Sequence, residues 1–175
     1  MRKIEKFMVQ KFTKGKAIKC VDSIINQRVL TEPNFNVNMR LFDSSLEYRN
    51  IIRDIIKYMK DVLNSSFENY PDPVGISGAN VGFPLRIVGV KEDGDRCIFM
   101  LNPTIVKTFG NKTVKSNCGS LVLKESISVK RYKVIDVNYY DTRGRLQHDT
   151  FLGPLSRTVQ HEIDHTNGIL ITDRV

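Results

Sequence analysis

The sequence has no apolar run of about 20 residues, the length a membrane-spanning helix needs, and no internal repeat or low-complexity tract. The basic opening MRKIEKFMVQKF lacks the continuous apolar stretch of a secretory signal, so none is expected. Cysteine is scarce. Cys20, Cys97 and Cys118 form an odd, widely spaced set, which argues against a disulfide framework and for a reducing compartment. Zinc-finger ligand spacing and RNP-type aromatic motifs are also missing, which leaves no basis for sequence-specific reading of nucleic acid.

What is present fits a globular chain. Apolar residues make up 41% of the 175 and charged residues 26%, ordinary values for a folded domain. A single domain over 1–175 is expected. The formal net charge of +8 is first of all a solvated basic surface. It is also the sign that attracts a polyanion such as RNA or the ribosome surface.

Residues 44–63 carry the clearest helical pattern. Ile52, Ile55, Ile56, Met59, Val62 and Leu63 recur at the spacing of one buried face. Ser44 with Glu47 reads as a capping box, Asn64, Ser65 and Ser66 as the end, and Asn69 to Pro73 as a turn. Two hairpins follow. Arg86 to Val90 and Cys97 to Leu101 flank Glu92 to Asp95; Val134 to Tyr140 and Thr150 to Leu152 flank Asp141 to Gly144. Pro154 to His165 reads as a second helix, with Pro in its first turn and Gly168 beyond its end. The expected fold class is α+β, a single compact domain with antiparallel or mixed sheets around a central HExxH helix.

His161-Glu162-Ile163-Asp164-His165 carries the chemistry. Histidines at i and i+4 share a helix face and can reach one metal ion. Glu162, one residue after the first, can exchange protons with a water that the metal activates. A catalytic site normally has a third protein ligand. The extended zinc-protease pattern would place it at Ile171, and no Glu follows His165. Cys20, Cys97, Cys118, His148, Asp173 and the upstream carboxylates remain. Cys118 stands out, because Ser116-Asn117-Cys118-Gly119-Ser120 is turn-rich and can present a thiolate and a backbone N–H together. Cys97 opens an apolar β-run and reads as a core thiol.

These residues resemble the peptide deformylase family, whose members remove the formyl group from the N-terminal formyl-methionine of new proteins. The family carries GxGxAAxQ, EGCLS and QHExDH in that order, and the similarity covers Leu46 to Asp173. Gln160 to His165 matches the third motif in full. Pro73 to Asn80, continued by Val81-Gly82-Phe83-Pro84, matches the first, with Asn80 where the family has Gln. Ser116 to Ser120 matches the second at the cysteine and the final serine, with Ser116 and Asn117 for Glu-Gly and Gly119 for Leu. The resemblance implies that Cys118, His161 and His165 hold one divalent metal, Fe²⁺ in the cell, with Zn²⁺, Ni²⁺ or Co²⁺ also accepted. It implies that Glu162 is the acid/base, that Gly75, Asn80 and the Gly119 N–H line the substrate and oxyanion site, and that Thr158 is near the methionine pocket. It further implies that Arg131 is the arginine that pairs with the family's Glu, so that with Ser116 in that place Arg131 needs another partner. The implied partners are formyl-Met nascent chains and, through the basic surface, the ribosome, with no membrane. The implied location is the bacterial cytoplasm or an organelle stroma or matrix.

Three other readings stand beside this one. A small zinc endopeptidase would cleave unformylated peptides. A binder of blocked N-termini would hold substrate without turnover. A basic RNA-associated module would use its metal structurally, which calls for four protein ligands.

Overall fold

The computed structural model describes residues 30–64, 74–93, 96–116, 118 and 126–175. The expected ends at Ser65 and Ser66, the turn at Asn69 to Pro73, and Cys20, Asn117 and Gly119 lie outside the described residues.

Two consecutive helices, α1 (Met39–Ser44) and α2 (Leu46–Leu63), precede the sheet. The cap of α2 is Ser45, not Ser44. Ser45 has extended backbone (φ −118°) and its side chain accepts from the Tyr48 N–H, as an N-cap must. Ser44 closes α1 instead, its hydroxyl donating to the Arg40 carbonyl. Asn64 is the C-cap. The apolar stripe is buried as its spacing predicts: Ile52, Ile55, Met59 and Leu63 are fully enclosed, and Val62 is half-buried at the rim. Each such side chain contributes about 1.5–3 kcal/mol relative to exposure.

Five strands follow: β1 (Gly75–Ser77), β2 (Ile87–Asp93), β3 (Arg96–Ser116), β4 (Ile127–Tyr140) and β5 (Leu146–Leu152). They pair in chain order as one antiparallel sheet. Both hairpins are present, with Val88 opposite Met100 and Tyr140 opposite Leu146. The strands outrun the apolar runs that mark them. β3 continues fifteen residues past Leu101 and β4 starts seven before Val134, because this extension has only one face to bury. Lys, Thr and Asn on its other face hide it from a search for apolar runs.

α3 (Gly153–Thr166) packs on the opposite side of the sheet from α2. Alternate strand residues serve the two helices. Ile87, Phe99 and Leu101 join Ile55 and Met59 of α2; Val88, Val90 and Met100 join Val159 and Ile163 of α3. Gly89 makes room for the ring opposite it, since a Cβ there would lie 2.5 Å from the Phe99 ring. The HExxH helix is therefore a buried layer clamped to a sheet. A short 3-10 turn, Ile171–Arg174, then folds Ile171 into a small apolar cluster with Val114, Cys118 and Val129.

Candidate metal centre and active site

The residues that position the site come from three elements. α3 starts after Leu152 with Pro154 in its first turn and ends in Asn167 and the left-handed Gly168 (φ +73°). Its phase is fixed by Gln160. The side-chain amide of Gln160 pairs with the Tyr132 peptide of β4, accepting from the N–H at 3.0 Å and donating to the carbonyl at 2.9 Å. Gln160 also donates to the Ser156 hydroxyl and carbonyl, and Ser156 donates to the Tyr132 carbonyl. With Gln160 tied to the sheet, His161 and His165 stand on one side of the helix. Cys118 follows the end of β3 and is buried at 2% exposure against Ile171.

His161 Nε2 and His165 Nε2 are 3.1 Å apart, and Cys118 Sγ is 3.5 Å from His165 Nε2. One ligand atom from each residue lies within 4.8 Å of the other two. Donors arranged tetrahedrally around a zinc-sized ion are separated by about 3.3–3.6 Å, so the three atoms are already near ligand spacing. Two imidazole nitrogens facing each other share at most one proton, whereas a cation satisfies both. Burial, with the Arg131 charge adding to it, holds the imidazole of His161 neutral down to about pH 4. Burial and the neighbouring His161 hold His165 neutral down to about 3. Neutral imidazoles are the ligating form. The donor set and spacing fit one divalent ion of the zinc or ferrous kind.

Glu162 is 5% exposed, and its Oε2 has no hydrogen-bond partner among the described residues. Burial pushes its carboxyl up to about 8, the Arg131 charge opposes the rise, and Asp164 adds to it. A carboxyl that changes protonation near neutral pH is suited to moving protons both ways. β1 runs alongside. A Cβ on Gly75 would stand 2.8 Å from Glu162 Oε1 and 2.6 Å from Thr158 Cγ2, so Gly75 and Thr158 both border the carboxylate. Asn80 sits in the 3-10 turn after β1, its Oδ1 accepting from the N–H of Ser77 at 2.6 Å and from the Ser77 hydroxyl at 2.7 Å. The amide oxygen is thereby committed, and the amine is its donor end.

Arg131 finds its partner in Asp164. The two side chains are buried, with Nη1 2.5 Å from Oδ2. Arg174 of the terminal turn grips the same carboxylate through Nε at 3.1 Å and Nη2 at 2.5 Å. Asp164 is thus the carboxylate between the two arginines. Gln160, Asp164 and Arg174 went unassigned at the level of sequence. The first two stand in the QHExDH match, which was the available signal. Arg174 offered none, because its role depends on the terminal turn folding back.

The other ligand candidates are elsewhere. Cys97 is half-buried in β3 beside the α2 cluster, His148 is exposed and bonded to Asn138, and Asp173 accepts from the Leu170 N–H. Gly119 is outside the described residues. A groove of about 920 Å³ opens between α2 and the two hairpins, lined among others by Arg53, Lys57, Tyr139 and Asp149. It contains none of the metal-site residues.

The Polypeptide deformylase family model matches residues 23–175. The chain belongs to the peptide deformylase family. It is 35% identical over 137 residues to the peptide deformylase of Orientia tsutsugamushi (strain Boryong), covering 70% of this chain and 74% of that one. To the Dictyoglomus turgidum peptide deformylase it is 33% identical over 126 residues, covering 72% and 75%. Among solved structures, a probable peptide deformylase from the Synechococcus phage S-SSM7 superposes with a TM-score of 0.71 at 26% identity, over 85% of this chain and 94% of that one. The peptide deformylase of Thermus thermophilus gives 0.67 at 26%, over 86% and 82%. The deformylase family is one of metal-dependent hydrolases acting on the formyl amide, and the α+β antiparallel architecture is that of its members.

Proposed function

We propose that this chain, as one domain, removes the formyl group from formyl-methionine at the N-terminus of nascent polypeptides, with Cys118, His161 and His165 as metal ligands and Glu162 as acid/base. The observation that carries this reading is the convergence of the three ligand atoms within 4.8 Å beside a buried carboxyl whose Oε2 is unpaired among the described residues. The proposed ion is Fe²⁺ in the cell, with Zn²⁺, Ni²⁺ or Co²⁺ substituting. When bound, the ion supplies Lewis acidity toward the formyl carbonyl and toward water.

The residues supply the rest. Glu162 takes a proton from the attacking water as the water oxygen joins the formyl carbon. The C–N bond then breaks, and Glu162 returns the proton to the departing amine, leaving formate and a free amino terminus. The Asn80 amine and the Gly119 N–H receive the negative charge on the carbonyl oxygen. Gly75 keeps β1 close, and Thr158 borders the methionine side chain. Arg131 and Arg174 hold Asp164, and through it the end of α3, in place. The proposed setting is the bacterial cytoplasm or an organelle stroma or matrix, with the basic surface associating with the ribosome.

The test is formate release from formyl-Met-Ala-Ser by protein loaded with Fe²⁺ without oxygen, beside Glu162→Ala and Glu162→Gln. Turnover should fall by about 10²–10⁴ in both variants while both still bind the metal. Full activity in Glu162→Ala would remove Glu162 from the mechanism. A folded, metal-loaded wild type that releases no formate would overturn the proposed reaction.

A further inference from the structure

The β3–β4 ribbon has a face that deformylation does not use. β2 pairs with β3 only as far as Leu101, so 104–116 of β3 pairs on one side only, with β4. Residues 106–113 are all exposed. Register sorts the side chains, since directly opposed residues share a face. Val114 opposite Val129 and Lys112 opposite Arg131 define the inner face, where Val114, Val129 and Arg131 are buried beside the metal centre. The outer face carries Lys107, Phe109, Lys115, Lys130 and Tyr132, with Thr113 paired to Lys130 and Asn111 to Tyr132.

Phe109 is 53% exposed and Tyr132 40%. Phe109 pairs with Val134 and Asn111 with Tyr132, so the two rings are diagonal neighbours, within reach of each other. Three lysines surround them. The one described carboxylate on this face, Asp136 opposite Lys107, is engaged at its end by the Thr150 hydroxyl. Two rings exposed on one surface offer a stacking platform. A strand surface with rings set among cations suits unpaired bases stacked over the rings, with their phosphates on the lysines. Lys107 to Lys115 spans about 26 Å of strand, room for the short end of single-strand sites of about 4–16 nucleotides. Lys115 stands three residues before the ligand Cys118, so an occupant of this face lies along the strand that leads into the metal centre.

We propose that the outer face of the β3–β4 ribbon docks single-stranded RNA without sequence preference. This deepens the ribosome association proposed above and is independent of the deformylation reading. RNA is favoured over an anionic lipid surface because the exposed apolar area is two rings set among three lysines, a stacking platform rather than the broad apolar face that enters a bilayer interface.

The test measures binding of the metal-loaded protein to a fluorescein-labelled oligouridylate from 50 to 200 mM KCl, with formate release assayed on the same samples. Three lysines releasing about 0.7 counterion each make log K fall with a slope near −2 from this face alone, about a 20-fold loss over that salt range. K107Q/K115Q/K130Q should flatten the slope by about 2. F109A should weaken binding by about 5-fold or more with its slope unchanged, and should leave binding to duplex RNA unaltered. Formate release from a formyl tripeptide should be unchanged in every variant. No binding at 50 mM KCl, a slope untouched by the triple substitution, or binding to phosphatidylserine vesicles in place of RNA would overturn the proposal. A loss of formate release in the wild type, with RNA bound, would instead count against deformylation alone.

Discussion

Gly75→Ala adds one methyl group at the point where β1 touches α3. Nothing in the backbone forbids it, because Gly75 is not among the positive-φ glycines. The obstacle is contact. The new Cβ would stand 2.6 Å from Thr158 Cγ2, 2.8 Å from Glu162 Oε1 and 2.9 Å from Glu162 Cγ, against ordinary carbon separations of about 3.5–4.0 Å. Something must give by roughly 0.7–1 Å. Thr158 is half-buried and can turn. Glu162 is 5% exposed and is struck at two atoms, Oε1 and Cγ, so relieving the contact shifts the carboxylate itself. Overpacking of this kind costs about 1–3 kcal/mol, which lowers Tm by about 2–12 °C for a chain of this size. A reacting group displaced by about 1 Å can lose about 10² in rate. Formate-release kinetics should therefore show kcat reduced about 100-fold. G75A/T158A separates the two contacts. It removes the threonine collision and leaves the Glu162 collision, so it should stay slow. A kcat within about 3-fold of wild type in Gly75→Ala, or one restored in the double variant, would refute the argument that Gly75 sets the position of Glu162.

Arg131→Met should cost about 3 kcal/mol by urea denaturation. That is the low end for breaking a buried ion pair, because Arg174 still holds Asp164; a loss below about 1 kcal/mol would show that Arg174 suffices. Stability of the metal-free chain should peak near pH 6.5. Between pH 8 and 6.5 only the folded state takes up the Glu162 proton, since that carboxyl is raised to about 8, so stability rises as pH falls by up to about 1.4 kcal/mol per unit. Below 6.5 the unfolded chain protonates two histidines that the fold holds down to about 4 and about 3. The folded state then carries one proton against two, and stability falls again at about the same slope. Denaturation midpoints in chelator from pH 5 to 8.5 check this, and Glu162→Gln should abolish the decline above 6.5.

The grouping of His161 and His165, the proposed ligands, was legible because a helix repeats every 3.6 residues and puts i and i+4 on one side. The buried stripe of α2 and both hairpins were legible for the same kind of reason, a local period bounded by turn residues. Cys118 was favoured by its turn-rich setting over Cys97 and His148, and the fold separates them: Cys118 converges on the histidines, while the other two stand elsewhere. What depended on register was not legible. The extension of β3 and β4 follows from pairing between residues far apart in the chain, and its mixed polar composition carries no apolar run. Asp164 with Arg131 and Arg174 is a meeting of three segments. No spacing along one of them announces the other two. The shift of the α2 cap from Ser44 to Ser45 came from a neighbouring helix, α1, that claimed Ser44 for its own last turn.

Gln160 has a further bearing on how the metal site survives thermal motion. A helix held only by apolar contacts can roll on its sheet, since greasy surfaces resist sliding weakly, and one residue of roll turns every side chain by about 100°. The Gln160 amide mimics a peptide group and is read by β4 as though it were another strand. Such a double bond pattern is met at a single angle of roll. The imidazole beside it, His161, therefore inherits the angular precision of the sheet, and the proposed ligands stay aimed at a common point by the fold itself.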